Sequence, residues 1–268
     1  MTEWPDAGVL LAGVAAGLNP VTLEEITARS KLMSRMDRKY LVPAPVMTRL
    51  ADELGDRFAV LEIGGRRQFR YTSTYFDTPD LLTYRQHRQR RRRRFKIRTR
   101  TYLDGGGRWL EVKLKGARGG TDKHRIPYDG APAHALTPEA LDYLDTTLAS
   151  GLMLPRPASL GPVLSTDYRR VTLVDRSGSA RLTCDSNLVC HDMRQELPAR
   201  RDLVLLESKS AGGDAAADRV LRRLGIRPVS VSKYCLGVAT LLGVPANPWH
   251  RVMRRYLVVR SAPAFRPG

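Results

Sequence analysis

The sequence predicts an α+β fold in which antiparallel strands dominate and helices lie between them. Eight short segments show the alternation of apolar and polar residues, or the β-rich composition, that is typical of strands. Turn sequences at 104–107 and 175–179 separate consecutive segments and favour sequential antiparallel pairing. No internal repeat at a solenoid or propeller period is visible.

The predicted strands extend through most of the chain. In order, they are 34–42, 69–78, 93–103, 108–116, 121–128, 165–175, 180–188 and 203–210. Successive side chains of a strand point to opposite faces of the sheet. Each segment therefore presents one set of residues to one side and a second set to the other.

Helical patterns lie before and between these strands. Thr137 is a capping residue with Pro138 at the first helical position, which predicts a helix over 137–148. The remaining predicted helices are 45–54, 214–224, 230–243 and, as either a short helix or an unstructured lead-in, 8–18. The proline-rich stretch 151–162 is the best candidate for a linker.

The composition is that of a folded but strongly basic protein. The 268 residues carry a formal net charge of +18, and 42% of them are hydrophobic. Such a charge favours a polyanionic partner, for which nucleic acid, anionic lipid and phosphate compounds are the candidates. The three cysteines have no metal-ligand spacing, which indicates reduced thiols in a cytoplasmic protein.

Strand parity places charged residues of many strands on a common face. In the predicted strand at 93–103, Arg94, Lys96, Arg98 and Arg100 share one face, whereas Phe95 and Ile97 share the other. The same habit groups Asp37 with Lys39, Glu111 with Lys113 and Lys115, Lys123 with Arg125, Arg181 with Asp185, and Glu207 with Lys209. In one strand alone this is the ordinary pattern of a solvated face.

The interpretation changes if the strands close into a barrel whose apolar face is covered by helices. The charged face must then line the inside. Like charges in such a lumen repel by several kcal/mol for each close pair, so the lumen needs an anion. A chain or cluster of phosphates fits this need. The few acids, Asp37, Glu111, Asp185 and Glu207, would suit a divalent cation that bridges phosphate oxygens.

A set of motifs resembles a known family. RMDRKY, STYFDT, RFKIRTRTY, WLEVKLKG, DKHR, DYRR, RLTCD, LLESKS and SKY occur in the order and spacing of the VTC domain, from about 34 to 243. This is the catalytic domain of the vacuolar transporter chaperone polyphosphate polymerases, within the CYTH-like triphosphate tunnel metalloenzymes. The resemblance implies a closed antiparallel eight-stranded β-barrel tunnel with helices packed outside. It divides the chain into an N-terminal lead-in (1–30), a tunnel domain (31–244) and a basic C-terminal tail (245–268).

The resemblance also implies a reaction and its residues. The terminal phosphoryl group of ATP is transferred to a growing polyphosphate chain, with Mn²⁺ or Mg²⁺. Catalytic roles fall on Arg98, Arg100, Lys113, Lys209 and Glu207, and metal binding falls on Glu207 with Asp37 and Glu111 as helpers. Substrate binding falls on Lys39, Lys123, Arg125, Arg170, Arg181 and Lys233, to which strand parity adds Arg94, Lys96 and Lys115 and the DYRR motif adds Tyr168.

The histidines have no catalytic role in this prediction. The attacking group would be a terminal phosphate that is already ionised at neutral pH, so no strong general base is required. His87, His124 and His191 are therefore expected to be surface or binding residues. The basic stretch RQHRQRRR before the strand is expected to approach the tunnel mouth and to gather anionic substrate or product.

Two alternatives to the polymerase remain open. One is a metal-dependent inorganic triphosphatase with the same fold, and the other is a non-catalytic binder of polyphosphate or nucleic acid. Sequence-specific nucleic-acid binding is not expected, because the charges alternate on strands and no stacking-aromatic motif of an RNA-binding sheet accompanies them. We expect a cytoplasmic protein that associates with the inner face of a membrane as a secondary property and relies on a membrane-protein partner for export of its product.

Overall fold

The computed structural model describes residues 5–29, 36–115, 121–210 and 214–258. An eight-stranded sheet carries most of the fold, and every pair of neighbouring strands in it is antiparallel. Its strands are β2 (Met36–Pro43), β4 (Gln68–Asp77), β5 (Arg94–Tyr102), β6 (Gly107–Lys115), β7 (Thr121–Pro127), β8 (Gly161–Asp175), β9 (Ala180–His191) and β11 (Leu203–Ser210). Short strands β1 (Pro20–Val21), β3 (Phe58–Leu61) and β10 (Glu196–Pro198) extend it. The predicted α+β class and antiparallel pairing are confirmed.

The predicted closure of the barrel is wrong for the residues that the structure describes. The strand order is β2-β11-β9-β8-β4-β5-β6-β7, and β2 and β7 stand at opposite ends without a ladder between them. A non-strand segment contacts the free edge of β2 instead: the Val229 amide donates to the Lys39 carbonyl at 2.7 Å. At the other edge, β7 is largely exposed and carries charged side chains, as edge strands commonly do.

The helices cover the apolar faces of the sheet. They are α1 (Ala7–Ala16), α2 (Leu23–Arg29), α3 (Ala44–Leu54), α4 (Leu82–Arg88), α5 (Pro138–Leu152), α6 (Ala216–Arg223), α7 (Lys233–Leu241) and α8 (His250–Tyr256). Helix α5 packs Leu144 and Leu148 against Phe95 and Ile97, the outward-facing residues of β5. The alternation in β5 therefore buries its apolar side beneath a helix and turns its cations to the other side.

Residues 151–162 do not divide the chain into two domains. Their first two residues complete helix α5, and a Cβ at Gly151 would lie 2.2 Å from the Leu114 side chain, so a larger residue would require Leu114 to shift. Strand β8 follows and pairs with β4 over ten register positions. The two halves of the chain thus build one sheet.

The arginine-rich stretch before β5 contains a helix that the sequence pattern did not predict. Helix α4 starts after Leu81, and its first amides are capped by a buried carboxylate at the end of β4. Asp77 accepts hydrogen bonds from the amides of Thr83 at 2.8 Å and Tyr84 at 3.0 Å, and also from the Tyr234 hydroxyl on α7. One side chain therefore ties α4 and α7 to the sheet.

The start of the predicted C-terminal tail packs against the domain. Residues 247–249 form a 3₁₀ turn that leads into α8, and Trp249, Tyr256 and Leu257 are buried. Leu257 forms a β-bridge with Ala199. Of the 245–268 range, the structure describes residues up to 258.

All three cysteines, Cys184, Cys190 and Cys235, are fully buried and unpaired. Burial raises the pKa of the Cys184 and Cys190 thiols to about 12, so both remain protonated at neutral pH. Helices long and apolar enough to cross a bilayer are absent from the described residues.

Candidate phosphate-binding site

The curled sheet encloses a cavity of about 410 Å³ at one end. Strands from both ends of the sheet order line it: Asp37 and Lys39 on β2 and Glu207 on β11 face Lys96 and Lys113 on β5 and β6. Further lining comes from His87, Arg90, Arg94, Leu114, Lys115, Thr121, residues 230–232, Pro248 and Trp249. The sheet is therefore strongly curved although its edge strands do not pair.

Two lysines stand side by side in this cavity. Lys96 on β5 and Lys113 on β6 are direct register partners, and both are half-buried. Neither forms an ion pair with an acid among the described residues. Like charges that are directly opposite in a sheet repel, and Glu207 offsets this repulsion in part.

The pKa values of both lysines are lowered, chiefly by burial. Burial lowers the pKa of Lys113 well below its usual value, and Arg98, Lys39 and Arg100 lower it further against the opposing effect of Glu207. Burial also lowers the pKa of Lys96, with smaller contributions from neighbouring cations. An anion in the cavity would relieve these penalties, because it stabilises the protonated form of both amines.

Glu111 is the centre of a second charged cluster, on the same face of the sheet as the two lysines. The carboxylate is fully buried and accepts from Arg98, with Nε to Oε2 at 2.8 Å, while the Lys123 ammonium contacts Oε1. Burial alone would raise the pKa of Glu111, but Arg98, Arg100 and Lys123 outweigh it and hold this pKa far below its usual range. Both oxygens of Glu111 are thus engaged by cations.

Arg98 and Arg100 are fixed by partners on both neighbouring strands. Arg98 also donates to the Tyr75 hydroxyl at 3.1 Å, and Arg100 Nε donates to the Ser73 hydroxyl at 3.3 Å. The guanidinium of Arg100 lies 5.6 Å from the centroid of the Tyr71 ring. Guanidinium groups held in this way lose little side-chain entropy when they bind an anion.

A second buried carboxylate organises the middle of the sheet. Asp185 on β9 forms a two-pronged pair with Arg170 on β8, at 2.6 and 2.9 Å, and also contacts the ammonium of Lys233 on α7. Lys233 and Arg170 lie over the Tyr168 ring at 4.3 and 5.3 Å. Burial raises the pKa of Tyr168, but the surrounding cations, Arg100 foremost, outweigh it and lower the pKa overall.

Two other carboxylates meet at one lysine beside the cavity. The Lys209 ammonium lies 2.8 Å from Oε1 of Glu207 and 3.1 Å from Oδ2 of Asp37. Burial raises the pKa of Glu207, but Lys39, Lys209 and Lys113 outweigh it and hold the carboxyl ionised at neutral pH. The described residues contain no group of three or more Asp, Glu, His or Cys side chains with metal-binding geometry.

The remaining predicted residues lie on the same face. Arg125 on β7 is opposite Glu111 and lies 4.3 Å from the Trp109 ring centroid. Arg181 on β9 is opposite Lys209, and Lys115 is opposite Arg94 at the cavity end. The structure therefore brings every predicted site residue to one side of the sheet, with Lys233 reaching it from a helix.

His87 and Trp249 are cavity residues that strand parity did not find. Both belong to elements outside the sheet, so alternation carries no signal for them. His87 Nδ1 lies 2.8 Å from the Thr83 carbonyl, which fixes this nitrogen as the protonated one. Burial, and secondarily Lys96, lowers the pKa of His87 to about 2, so the ring is neutral.

Comparisons with known proteins agree with these motifs. The sequence model of the VTC domain matches residues 34–242. No curated protein sequence matches the chain significantly. Several solved structures overlap much of the chain at low identity.

A Pyrococcus horikoshii OT3 protein, PH1819, shares 13% identity with a TM-score of 0.41, over 77% of this chain and 99% of its own. A Hippeastrum adenylyl cyclase homologue, described as revealing a dominant triphosphatase activity, shares 12% identity with a TM-score of 0.46 over 77% and 96%. An RNA triphosphatase of S. pombe shares 11% with a TM-score of 0.27 over 84% and 77%. With all three TM-scores below 0.5, the assignment rests on the domain match, which spans most of the sequence: the chain belongs to the VTC domain family.

Proposed function

We propose that this protein is an ATP-dependent polyphosphate polymerase, which transfers the terminal phosphoryl group of ATP to a growing polyphosphate chain. The observation that carries the proposal is the directly opposed Lys96–Lys113 pair in the cavity, which forms no ion pair with an acid among the described residues. A phosphate chain is a good counterion for it, because each unit supplies negative charge and accepts hydrogen bonds in several directions. Membership of the VTC domain family supports the same substrate class.

The chemistry asks mainly for positioning and charge neutralisation. Phosphoryl transfer proceeds through a loose transition state in which charge is spread over the transferred oxygens. Arg98 and Arg100, held in place by Glu111, Tyr75 and Ser73, would orient phosphate oxygens with little rearrangement. Lys113 would neutralise charge at the cavity end.

No general base is needed in this scheme. The attacking oxygen belongs to a terminal phosphate that is already ionised, and His87 in the cavity wall is neutral with its Nδ1–H directed to a backbone carbonyl. His87 therefore serves as a hydrogen-bonding wall residue. Lys96 and Arg94 beside it carry the positive charge of this wall.

A divalent cation fits the donor chemistry at Glu207 and Asp37. Their oxygens already converge on one cation, the Lys209 ammonium, and carboxylates are preferred ligands of Mg²⁺ and Mn²⁺. Glu111 does not fit this role, because both of its oxygens are engaged by Arg98 and Lys123. When bound, the ion would neutralise phosphate charge, and the two carboxylates would hold it beside the cavity.

The test is a product assay with purified protein, ATP and Mn²⁺ or Mg²⁺. We expect a ladder of anionic products on a gel that a polyphosphate-specific phosphatase removes, and loss of the ladder in Arg98→Ala and Glu207→Ala. Arg169→Ala is the matched control, since Arg169 is exposed. Release of orthophosphate from tripolyphosphate without elongation would instead identify a triphosphatase, and binding without turnover would identify a polyphosphate binder. Export of the product would require a membrane-protein partner.

A further inference from the structure

Two basic segments that are far apart in the sequence meet at the cavity mouth. The Tyr84 hydroxyl of α4 donates to the Pro245 carbonyl at 2.7 Å, and the Tyr84 and Trp249 ring centroids are 5.9 Å apart. These contacts bring the segment that leads into α8 against α4. Arg90, which follows α4, and Trp249, which precedes α8, therefore lie at the same cavity.

The arginines of both segments are exposed. We call them the arginine surface, which consists of Arg90, Arg91, Arg92, Arg93, Arg251, Arg254 and Arg255. Residues 81–103 and 245–268 contain no Asp or Glu. Within the described part of the chain, no member of the arginine surface forms an ion pair with a carboxylate. The charge of this surface is thus uncompensated in the folded chain.

The arginine surface is continuous with the cavity. Arg90 lines the cavity together with Arg94, and Trp249, which also lines it, immediately precedes α8. Arg90 has a left-handed backbone, with φ at 54°, which turns the chain between α4 and β5 at this point. A linear polyanion that leaves the cavity at this end would meet these arginines first.

We propose that the arginine surface is a second binding site for linear polyphosphate, which holds the part of the chain that extends beyond the cavity. This inference rests on the proposed function. It adds a site for long chains beside the cavity. The surface includes residues 251–255, which lie outside the 34–242 range that the VTC domain model matches.

Polyphosphate is favoured over nucleic acid because, among the described residues, the aromatic rings near this surface are not exposed for base stacking. The nearby aromatic side chains of Tyr84, Trp249 and Tyr256 are all buried, and single-stranded nucleic acids are bound largely through exposed aromatic rings. Polyphosphate is favoured over anionic lipid because the arginines lead into the cavity, where a continuous chain could occupy both sites. A lipid headgroup could not bridge them.

The experiment compares the binding of tripolyphosphate, which the cavity can hold, with that of long-chain polyphosphate. The test variant is Arg91→Gln/Arg92→Gln/Arg251→Gln/Arg254→Gln, and each of its two double variants is measured separately. The matched control removes four exposed arginines elsewhere: Arg66→Gln/Arg169→Gln/Arg194→Gln/Arg201→Gln. Thermal unfolding confirms that each variant is folded. The net charge of test and control is the same, so any difference depends on position.

We expect the test variant to bind long-chain polyphosphate about tenfold more weakly than the control, with a shallower dependence of affinity on salt concentration. Its affinity for tripolyphosphate should match that of the control, and each double variant should show part of the loss. Equal binding of the long chain by test and control variants overturns the second site alone.

Failure of the wild-type protein to bind tripolyphosphate overturns the proposed function as well. A loss confined to vesicles containing phosphatidylserine, or to single-stranded DNA, with polyphosphate binding unchanged, assigns the surface to that ligand and refutes our proposal.

Discussion

Replacement of Lys113 by methionine is expected to raise the stability of the protein and to weaken its binding of tripolyphosphate. Lys113 and Lys96 are opposite each other on β6 and β5, which places their Cβ atoms about 5 Å apart. Two like charges about 5 to 6 Å apart repel by on the order of 3 kcal/mol at an effective dielectric constant of about 20. Glu207 and solvent at the cavity mouth offset part of this repulsion. We expect Lys113→Met to raise the free energy of unfolding by about 1–2 kcal/mol.

The assay is thermal unfolding at pH 7 with and without tripolyphosphate. The expected gain corresponds to a rise in Tm of about 2–4 °C for each kcal/mol in a protein of this size. Tripolyphosphate should stabilise the variant less than the wild type, because a cation that binds it is gone. The matched variant Lys123→Met should be destabilised, since it leaves Glu111 with one partner fewer. A lower Tm in Lys113→Met, or undiminished stabilisation by tripolyphosphate, would refute the reasoning.

Three further predictions concern the groups around the cavity. Asp77→Asn should lower the free energy of unfolding by about 3 kcal/mol in urea denaturation, since it replaces the buried carboxylate that caps α4 and accepts a hydrogen bond from Tyr234. An unchanged denaturation midpoint would contradict this prediction. The depressed pKa of His87, about 2, means that the unfolded chain binds the proton more readily below pH 6.5, so stability should fall as the pH drops from about 6.5. In His87→Gln the fall between pH 7 and pH 5 should be smaller, and an identical pH profile would rule out this contribution. Arg98→Met should cost about 3–5 kcal/mol because Glu111 is left partly uncompensated, and the double variant Arg98→Met/Glu111→Leu should recover part of that loss in the same denaturation assay.

Strand parity predicted which side chains of each strand face the site. Because side chains alternate strictly in a strand, the sequence order of Arg94, Lys96, Arg98 and Arg100 already placed them on one side of β5. Burial of Phe95 and Ile97 beneath α5 then left that side facing the cavity. The grouping of cations across neighbouring strands was therefore predictable from local pattern alone.

Contacts between distant residues could not be predicted in this way. Among the described residues, the edge strand β2 pairs with no strand on its free side, and the segment at 229–231 instead binds the Lys39 carbonyl and ammonium. Helix α4 lies in a run of charges with little apolar periodicity, and it is capped by Asp77 from the preceding strand. Alternation also could not show that Glu111 forms ion pairs with Arg98 and Lys123, since these contacts depend on which strands become neighbours.

The buried cysteines make the protein convenient for site-specific labelling. Cys184, Cys190 and Cys235 have no accessible surface, and burial raises the pKa of each thiol. Maleimide reagents attack the accessible thiolate, so the native thiols should remain unmodified while the protein is folded. A single cysteine introduced beside α8 can therefore carry a fluorophore without removal of any native residue, and it would report directly on a polymer passing the cavity mouth.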